Sequence, residues 1–351
     1  MTPDERRLVI RLRSGDVEAW GESTPLERPE YSPEWAGGAF EALRQWMAPA
    51  LIGHEISSGE DLQERLSRFK GNHFAKAAVD TAWWVLEARC GGQPLYQLLG
   101  GRRTQVEVGA DFGVMDCVDD LLRSIADAVT QGYRRVKLKF RPGWDFNMLE
   151  AVRSDFPELT VHVDCNSGFR LSDAPVFKKL DQFGLAMIEQ PLSHDDLVDH
   201  AKLQKQLQTP ICLDESITSV HRMEQAIELG SCRYVNVKPG RVGGLTSAVA
   251  IHDLCRDAGI PCWVGGNLES GIGAAIAVAL ATLENFVYPA DIFPSSRFYR
   301  QDLAVPLVRF SRSENGAPCA IAEDTEGLVQ APERERLAEM TVQRAVVGTQ
   351  S

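Results

Sequence analysis

The chain has 351 residues, 44% of them hydrophobic and 25% charged, with a formal net charge of −12. That length suits one large domain or a barrel with a smaller companion, and the acidic balance disfavours nucleic acid and anionic membranes as general partners. An anionic small molecule stays admissible, because a local lysine cluster or a metal ion can outweigh the global charge.

Residues 1–7 lack the apolar core of a signal peptide. Residues 8–13 then form an apolar stretch that alternates with arginine from Ile10 onward, turn at Ser14-Gly15-Asp16 and continue to Trp20, which predicts a β-hairpin. Helices are predicted over 34–47, 61–69 and 75–90, the last stopped by Gly91-Gly92. Trp83 and Trp84 lie on its apolar surface and read as core. From about residue 105 the pattern changes to short apolar strands alternating with helices. Strands are predicted at 135–139, 160–164, 186–189, 211–214, 234–238 and 261–264. Helices at 145–155, 173–183, 197–208, 220–228 and 245–258 lie among them. This alternation argues for a parallel sheet, with a closed βα barrel as the leading form. A glycine-rich stretch at 265–273 opens a helix of small residues, and its apolar run, 271–281, is too short to span a bilayer. The tail is charged and irregular. Three parts result: 1–104, 105–299 as the barrel, and 300–351, expected to pack back on the first. The eight cysteines form no C-x-x-C pair and no zinc spacing, which predicts reduced thiols in a cytoplasm. Oligomeric state is left open, a homo-oligomer included.

The chemistry sits where the strands end. Lys139, Asp164, Glu189, Asp214 and Lys238 follow one another at spacings of 25, 25, 25 and 24 residues. One βα unit has about that length, so each residue occupies the same place in successive units, at the mouth where barrel enzymes gather their catalytic groups. Three converging carboxylates would repel one another and rise in pKa unless a cation joined them. All-oxygen ligands favour magnesium, with manganese as the alternative. A lysine on either side suits removal of a proton from the carbon next to a carboxylate, since a metal can stabilise the developing enediolate and lower the pKa of a nearby lysine base. Lys137 shares the strand face of Lys139 and reads as a helper that depresses the pKa of Lys139 and steadies substrate oxygens. A lone aspartate at a strand end is usually a cap or turn residue, as Asp173 and Asp195 are read here. Five residues in one register are not explained that way. Around them, Asn166, Arg241, Gly266, Glu269 and Ser270 are substrate-binding candidates, with backbone amides of the glycine run available to a carboxylate. His162, inside a strand, reads as a satisfied core histidine.

These residues resemble the enolase superfamily, in its muconate lactonizing enzyme branch. The handful of matching pieces spans almost the whole chain: Gly71-Asn72-His73-Phe74-Ala75-Lys76-Ala77-Ala78, Lys137-Leu138-Lys139, Asp164-Cys165-Asn166, Ile188-Glu189-Gln190-Pro191-Leu192, Leu213-Asp214-Glu215-Ser216 and Asn236-Val237-Lys238-Pro239-Gly240-Arg241-Val242-Gly243-Gly244-Leu245. The last of these, the glycine run and Ser295-Ser296-Arg297-Phe298-Tyr299 are similar to the o-succinylbenzoate synthase and N-succinylamino acid racemase group. The resemblance implies a (β/α)7β TIM-like barrel, with an α+β capping domain formed from both chain ends. It implies magnesium on Asp164, Glu189 and Asp214, as enolase-superfamily sites pair a lysine base with this ion. It also implies dehydration of 2-succinyl-6-hydroxy-2,4-cyclohexadiene-1-carboxylate in menaquinone synthesis, with Lys139 as base and acid and Lys238 as a cation on the opposite face. Racemisation of N-succinylamino acids, dipeptide epimerisation and lactonization are the alternatives within the branch. Members usually carry one more strand and a loop ahead of the segment matching residues 6–13, and usually an apolar residue where Asn267 stands here.

Overall fold

A computed structural model describes residues 6–348; the opening residues on which a signal peptide was judged absent lie largely outside them. The predicted hairpin forms as β1 (Leu8–Ser14) and β2 (Val17–Ser23), paired antiparallel along their full length. It lies directly on the helix His73–Cys90: a Cβ on Gly21 would come within 2.3 Å of the Ala82 backbone nitrogen. That helix is buried on nearly every side, which accounts for its weak amphipathic pattern. Trp83 is buried in it, while Trp84 donates its indole N–H to Thr246 at 2.8 Å.

The helix predicted over 34–47 starts later, at Ala36, and finishes in a π-helical turn, Leu43–Met47. Glu34 has another task. Its carboxylate accepts from the backbone N–H groups of His73 (2.6 Å) and Phe74 (3.0 Å), capping the long helix from a distance.

A short strand β3 (Gln105–Glu107) leads to β4 (Ala110–Phe112), the first strand of a seven-stranded parallel sheet. The others are β5 (Arg135–Lys139), β6 (Thr160–Asp164), β7 (Ile188–Glu189), β8 (Ile211–Leu213), β9 (Tyr234–Val237) and β10 (Cys262–Val264), in sequential order. The ring closes through residues 285–291, which are not a regular strand. On one side the Asp291 N–H donates to Val264 (3.0 Å) and the Val287 N–H to Cys262 (3.1 Å). On the other, the Ala290 N–H donates to Glu107 (2.9 Å) and the Gly109 N–H to Ala290 (3.0 Å). The architecture is therefore the expected α/β barrel with a cap. A helix absent from the sequence reading, Val118–Thr130, buries Leu121, Ile125 and Ala128 against it.

The tail is more ordered than expected. After β11 (Ala304–Val305), β12 (Phe310–Arg312) and β13 (Pro318–Ile321) pair with each other, and β13 also pairs with β3. β14 (Ala331–Pro332) pairs with β11. Gly327 and Leu328 accept hydrogen bonds from the Leu95 N–H (3.3 Å) and Arg89 (3.1 Å) of the first region. Among the described residues no helix is long and apolar enough to cross a membrane.

Candidate active site

Register brings the five residues to one end of the ring. Lys139 pairs with Asp164, and Asp164 with Glu189, across β5, β6 and β7. Asp214 and Lys238 follow β8 and β9 by one residue. Counting the closing segment, the ring has eight positions, and β5 lies four from β9 in either direction. The two lysines therefore stand on opposite sides, with the three carboxylates on the arc between them.

Each lysine holds a carboxylate. The Lys139 ammonium donates to Asp164 and to the Asn166 amide oxygen, both at 2.7 Å. The Lys238 ammonium donates to Asp214 at 2.9 Å and sits 4.9 Å from the centre of the Tyr31 ring. The Tyr31 hydroxyl accepts from Lys238 (3.0 Å) and Arg241 (3.2 Å) and donates to Asp214 (3.3 Å). Glu189, wholly buried, accepts from the Asn236 amide at 2.6 Å.

The electrostatics divide the expected ligand set. Burial raises the pKa of Asp164, and the neighbouring Glu189 raises it further. Burial also raises Glu189, with Asp214 adding to it against the pull of Lys137. Asp214 departs from the expectation: burial would raise it, but Arg241 and Lys238 bring it below the ordinary range. Lys139 departs as well. Burial lowers it and Lys137 lowers it as anticipated, yet Asp164 outweighs both and the ammonium is strengthened. Lys137 itself is ion-paired with Asp291, with Asp111 at 3.8 Å and Glu189 at 4.0 Å. Burial pulls its pKa down, but those carboxylates lift it well above the usual lysine value.

The donor chemistry fits a divalent cation in one respect and is answered by protein cations in another. Glu189 Oε2 and Glu215 Oε2 are buried without a hydrogen-bond partner, which is the situation of ligand oxygens awaiting a cation. Among the described residues, however, no three His, Cys, Asp or Glu side chains are placed to share an ion as they stand. Asp214 is turned to Arg241 and Lys238, and Asp164 to Lys139.

The substrate-binding candidates separate. Asn166 reaches the site, bonded to Lys139 and, at 3.4 Å, to Glu215. Arg241 is buried rather than a surface arginine, and its nitrogens meet Ile217, Asn236, Asp214 and Tyr31, so it acts on Lys238 and Asp214 rather than reaching for an anion. Gly266 is required by space: a Cβ there would lie 2.5 Å from the Asp291 carbonyl oxygen. Glu269 is turned onto its own loop, accepting from the Asn267 N–H at 2.7 Å. Ser270 caps the helix Gly271–Ala281 and donates its hydroxyl to Glu22 at 2.6 Å. The helix-start amides expected to hold a substrate carboxylate are already taken. Glu22 accepts from Ser270 N–H (2.9 Å) and Gly273 N–H (2.8 Å), and Asp302 from Gly271 N–H (3.0 Å). Two protein carboxylates thus occupy the anion site at that helix start.

Tyr31, Glu22, Glu215, Asn236 and Asp291 had not been singled out. Burial, then Asp214 and Asp164, pushes the Glu215 carboxyl up to about 8. Glu215 follows Asp214 directly, and adjacency to a candidate ligand was the available signal. Tyr31 lies 183 to 210 residues from Asp214, Lys238 and Arg241, and Glu22 lies 248 and 251 residues from Ser270 and Gly273, and no local pattern announces these contacts.

The matches to known proteins agree with this fold. The family described as "Enolase C-terminal domain-like" matches residues 120–318, and the N-terminal domain of the "Mandelate racemase / muconate lactonizing enzyme" family matches 2–100. The chain is 47% identical to an o-succinylbenzoate synthase of Geobacillus kaustophilus over 301 residues, covering 86% of this chain and 80% of the relative. It is 45% identical to an N-succinylamino acid racemase of Thermus thermophilus over 296 residues, covering 84% of this chain and 80% of the relative. A crystal structure of an enolase-superfamily member from Listeria innocua superposes with a TM-score of 0.90 at 38% identity, covering 95% of this chain and 89% of that one. The chain belongs to the mandelate racemase / muconate lactonizing enzyme family of the enolase superfamily.

Proposed function

We propose that this protein is an o-succinylbenzoate synthase, a carbon–oxygen lyase that dehydrates 2-succinyl-6-hydroxy-2,4-cyclohexadiene-1-carboxylate for menaquinone synthesis. The observation that carries the reading is the pair of lysines facing each other across the ring, with carboxylates between them. It is supported by the identity to o-succinylbenzoate synthases. The eight free cysteines support a reducing, cytoplasmic setting.

In this reading Lys139 takes the proton from the carbon next to the substrate carboxylate and returns it to the departing hydroxyl on the same face, so that water leaves and the ring becomes aromatic. Lys238 stays cationic, held so by Asp214 against the lowering effect of burial, and faces the electron-rich ring from the other side. Asn166 keeps the Lys139 amine aimed. Asp164, Glu189 and Asp214 would hold a magnesium ion, with manganese as a substitute, which would supply charge neutralisation at the substrate carboxylate. To serve as ligands, Asp164 would have to part from Lys139 and Asp214 from Arg241. Without the Asp164 pair, Lys139 would lose the partner that strengthens its ammonium.

The test is direct. The purified protein is treated with EDTA, given the cyclohexadiene substrate, and then supplied with magnesium while the diene absorbance is followed. Conversion that stops with EDTA and resumes with magnesium supports the reading; no conversion under any condition refutes it. A second reading, racemisation of N-succinylamino acids, is favoured by the opposed lysines themselves, since each could exchange a proton on one face of the same carbon, and by the similarity to a racemase. Absence of α-deuterium incorporation into an N-succinylamino acid in D2O excludes it.

A further inference from the structure

One buried imidazole adjoins this site without entering the chemistry above. His162 lies two residues before Asp164 on β6, on the same face and one layer deeper. It is completely buried. Trp263 and Tyr288 meet its ring edge-on, each with centroids 5.5 Å away, and so fix its plane. Its Nδ1 lies 3.0 Å from the Tyr288 hydroxyl. Its Nε2 faces Glu189 Oε2 at 3.4 Å. Those last two atoms are both buried and both without a hydrogen-bond partner. A buried polar atom of that kind is costly to leave without a partner, and two of them facing each other invite a single remedy. If the tyrosine hydroxyl donates to Nδ1, the imidazole proton sits on Nε2 and points at the carboxylate.

We propose that His162 is a positioning residue for Glu189. The Tyr288 hydroxyl holds it as the Nε2–H tautomer. Its Nε2–H then steadies Glu189 Oε2 while Asn236 steadies Oε1, so the carboxylate meets an incoming divalent ion in one orientation. The metal half of this inference rests on the reading of Glu189 as a ligand; the tautomer half does not. The simpler alternative is a core histidine satisfied by Tyr288 alone.

Calorimetric titration of magnesium into the wild type, His162→Leu and His162→Gln separates the two. Loss of the donor in His162→Leu should weaken magnesium binding roughly tenfold to a hundredfold, and the glutamine amide, which can stand where Nε2–H stands, should recover most of it. Leucine and glutamine variants that bind alike overturn the proposal. Nitrogen-15 spectra of the wild-type imidazole test it without metal and without a variant that must fold. An Nε2–H signature supports it and an Nδ1–H signature overturns it. If the wild type takes up no magnesium, the ligand reading of Glu189 fails and the metal half with it, while the spectrum still decides the His162–Glu189 contact.

Discussion

Replacing Asp291 by asparagine should destabilise this protein by far more than a change of one atom suggests. The Asp291 carboxylate lies 2.8 Å from the Arg135 guanidinium and is also ion-paired with Lys137, and all three side chains are buried. At an effective dielectric near 20, a unit pair 2.8 Å apart attracts with about 6 kcal/mol before desolvation. Asparagine fills the same space but leaves two buried cations sharing a neutral partner. Breaking a buried pair in this way costs about 3–5 kcal/mol. Unfolding entropy of about 2.1 cal/mol/K per residue gives about 0.7 kcal/mol/K for 351 residues. The melting temperature should therefore fall by about 4–7 °C, measured by scanning calorimetry at pH 7. The difference also has a pH signature. Burial would raise the Asp291 pKa, but Lys137 and Arg135 depress it well below its ordinary 3.8. Its stabilisation is thus fully present above about 3.8 and fades only as pH falls through the lower folded value. The gap between wild type and variant should hold from pH 8 to pH 5 and narrow below 4. A variant that melts within about 1 °C of the wild type at pH 7 would refute the reasoning.

Three further outcomes are expected. Lys139→Met should lower kcat/KM for dehydration by roughly a hundred- to ten-thousandfold with the circular dichroism unchanged; retained activity would remove Lys139 from its role as base. Gly244→Ala should cost about 2–5 kcal/mol in urea denaturation, because φ is +119° there and the new Cβ would sit 2.3 Å from an Asp80 oxygen; a loss below about 1 kcal/mol would show that the loop yields. Burial lifts the buried Asp80 carboxyl from 3.8 to about 6, so the folded state binds its proton more tightly and this group's stabilisation is lost as pH rises from about 4 to 6. Asp80→Asn should remove that slope, so that the variant gains on the wild type in urea midpoint between pH 4 and pH 7; a constant difference would count against it.

The spacing of about 25 residues between strand ends made the barrel and its five mouth residues legible, because each βα unit repeats one length. What stayed hidden had no periodic pattern to reveal it. Residues 285–291 close the ring with Pro289 in their midst and hydrogen bonds split between two neighbours, so nothing there alternates as a strand does. β4 has three residues, too few for any period to register. Glu34 looked like the first residue of a helix, yet its carboxylate caps a different one 39 residues away. The partner of Lys139 was hidden as well: the sequence showed where this lysine stands, but not that Asp164 would come within 2.7 Å of it and, with no metal ion between them, strengthen its ammonium.

Glu22 makes the cap and the barrel one inherited unit. It belongs to the hairpin, yet it answers the Ser270 N–H, the Ser270 hydroxyl and the Gly273 N–H at the start of a barrel helix. A chimaera that borrows its cap from a relative must bring a carboxylate to position 22, or bury three donors with no acceptor. A library that varies the glycine-rich turn in search of new substrates must keep Ser270 and Gly273, since a Cβ on Gly273 would lie 2.8 Å from the Glu269 side chain and 3.0 Å from Glu22. Position 267 belongs to the same joint, because the Asn267 amide donates to the Thr24 carbonyl oxygen at 3.3 Å.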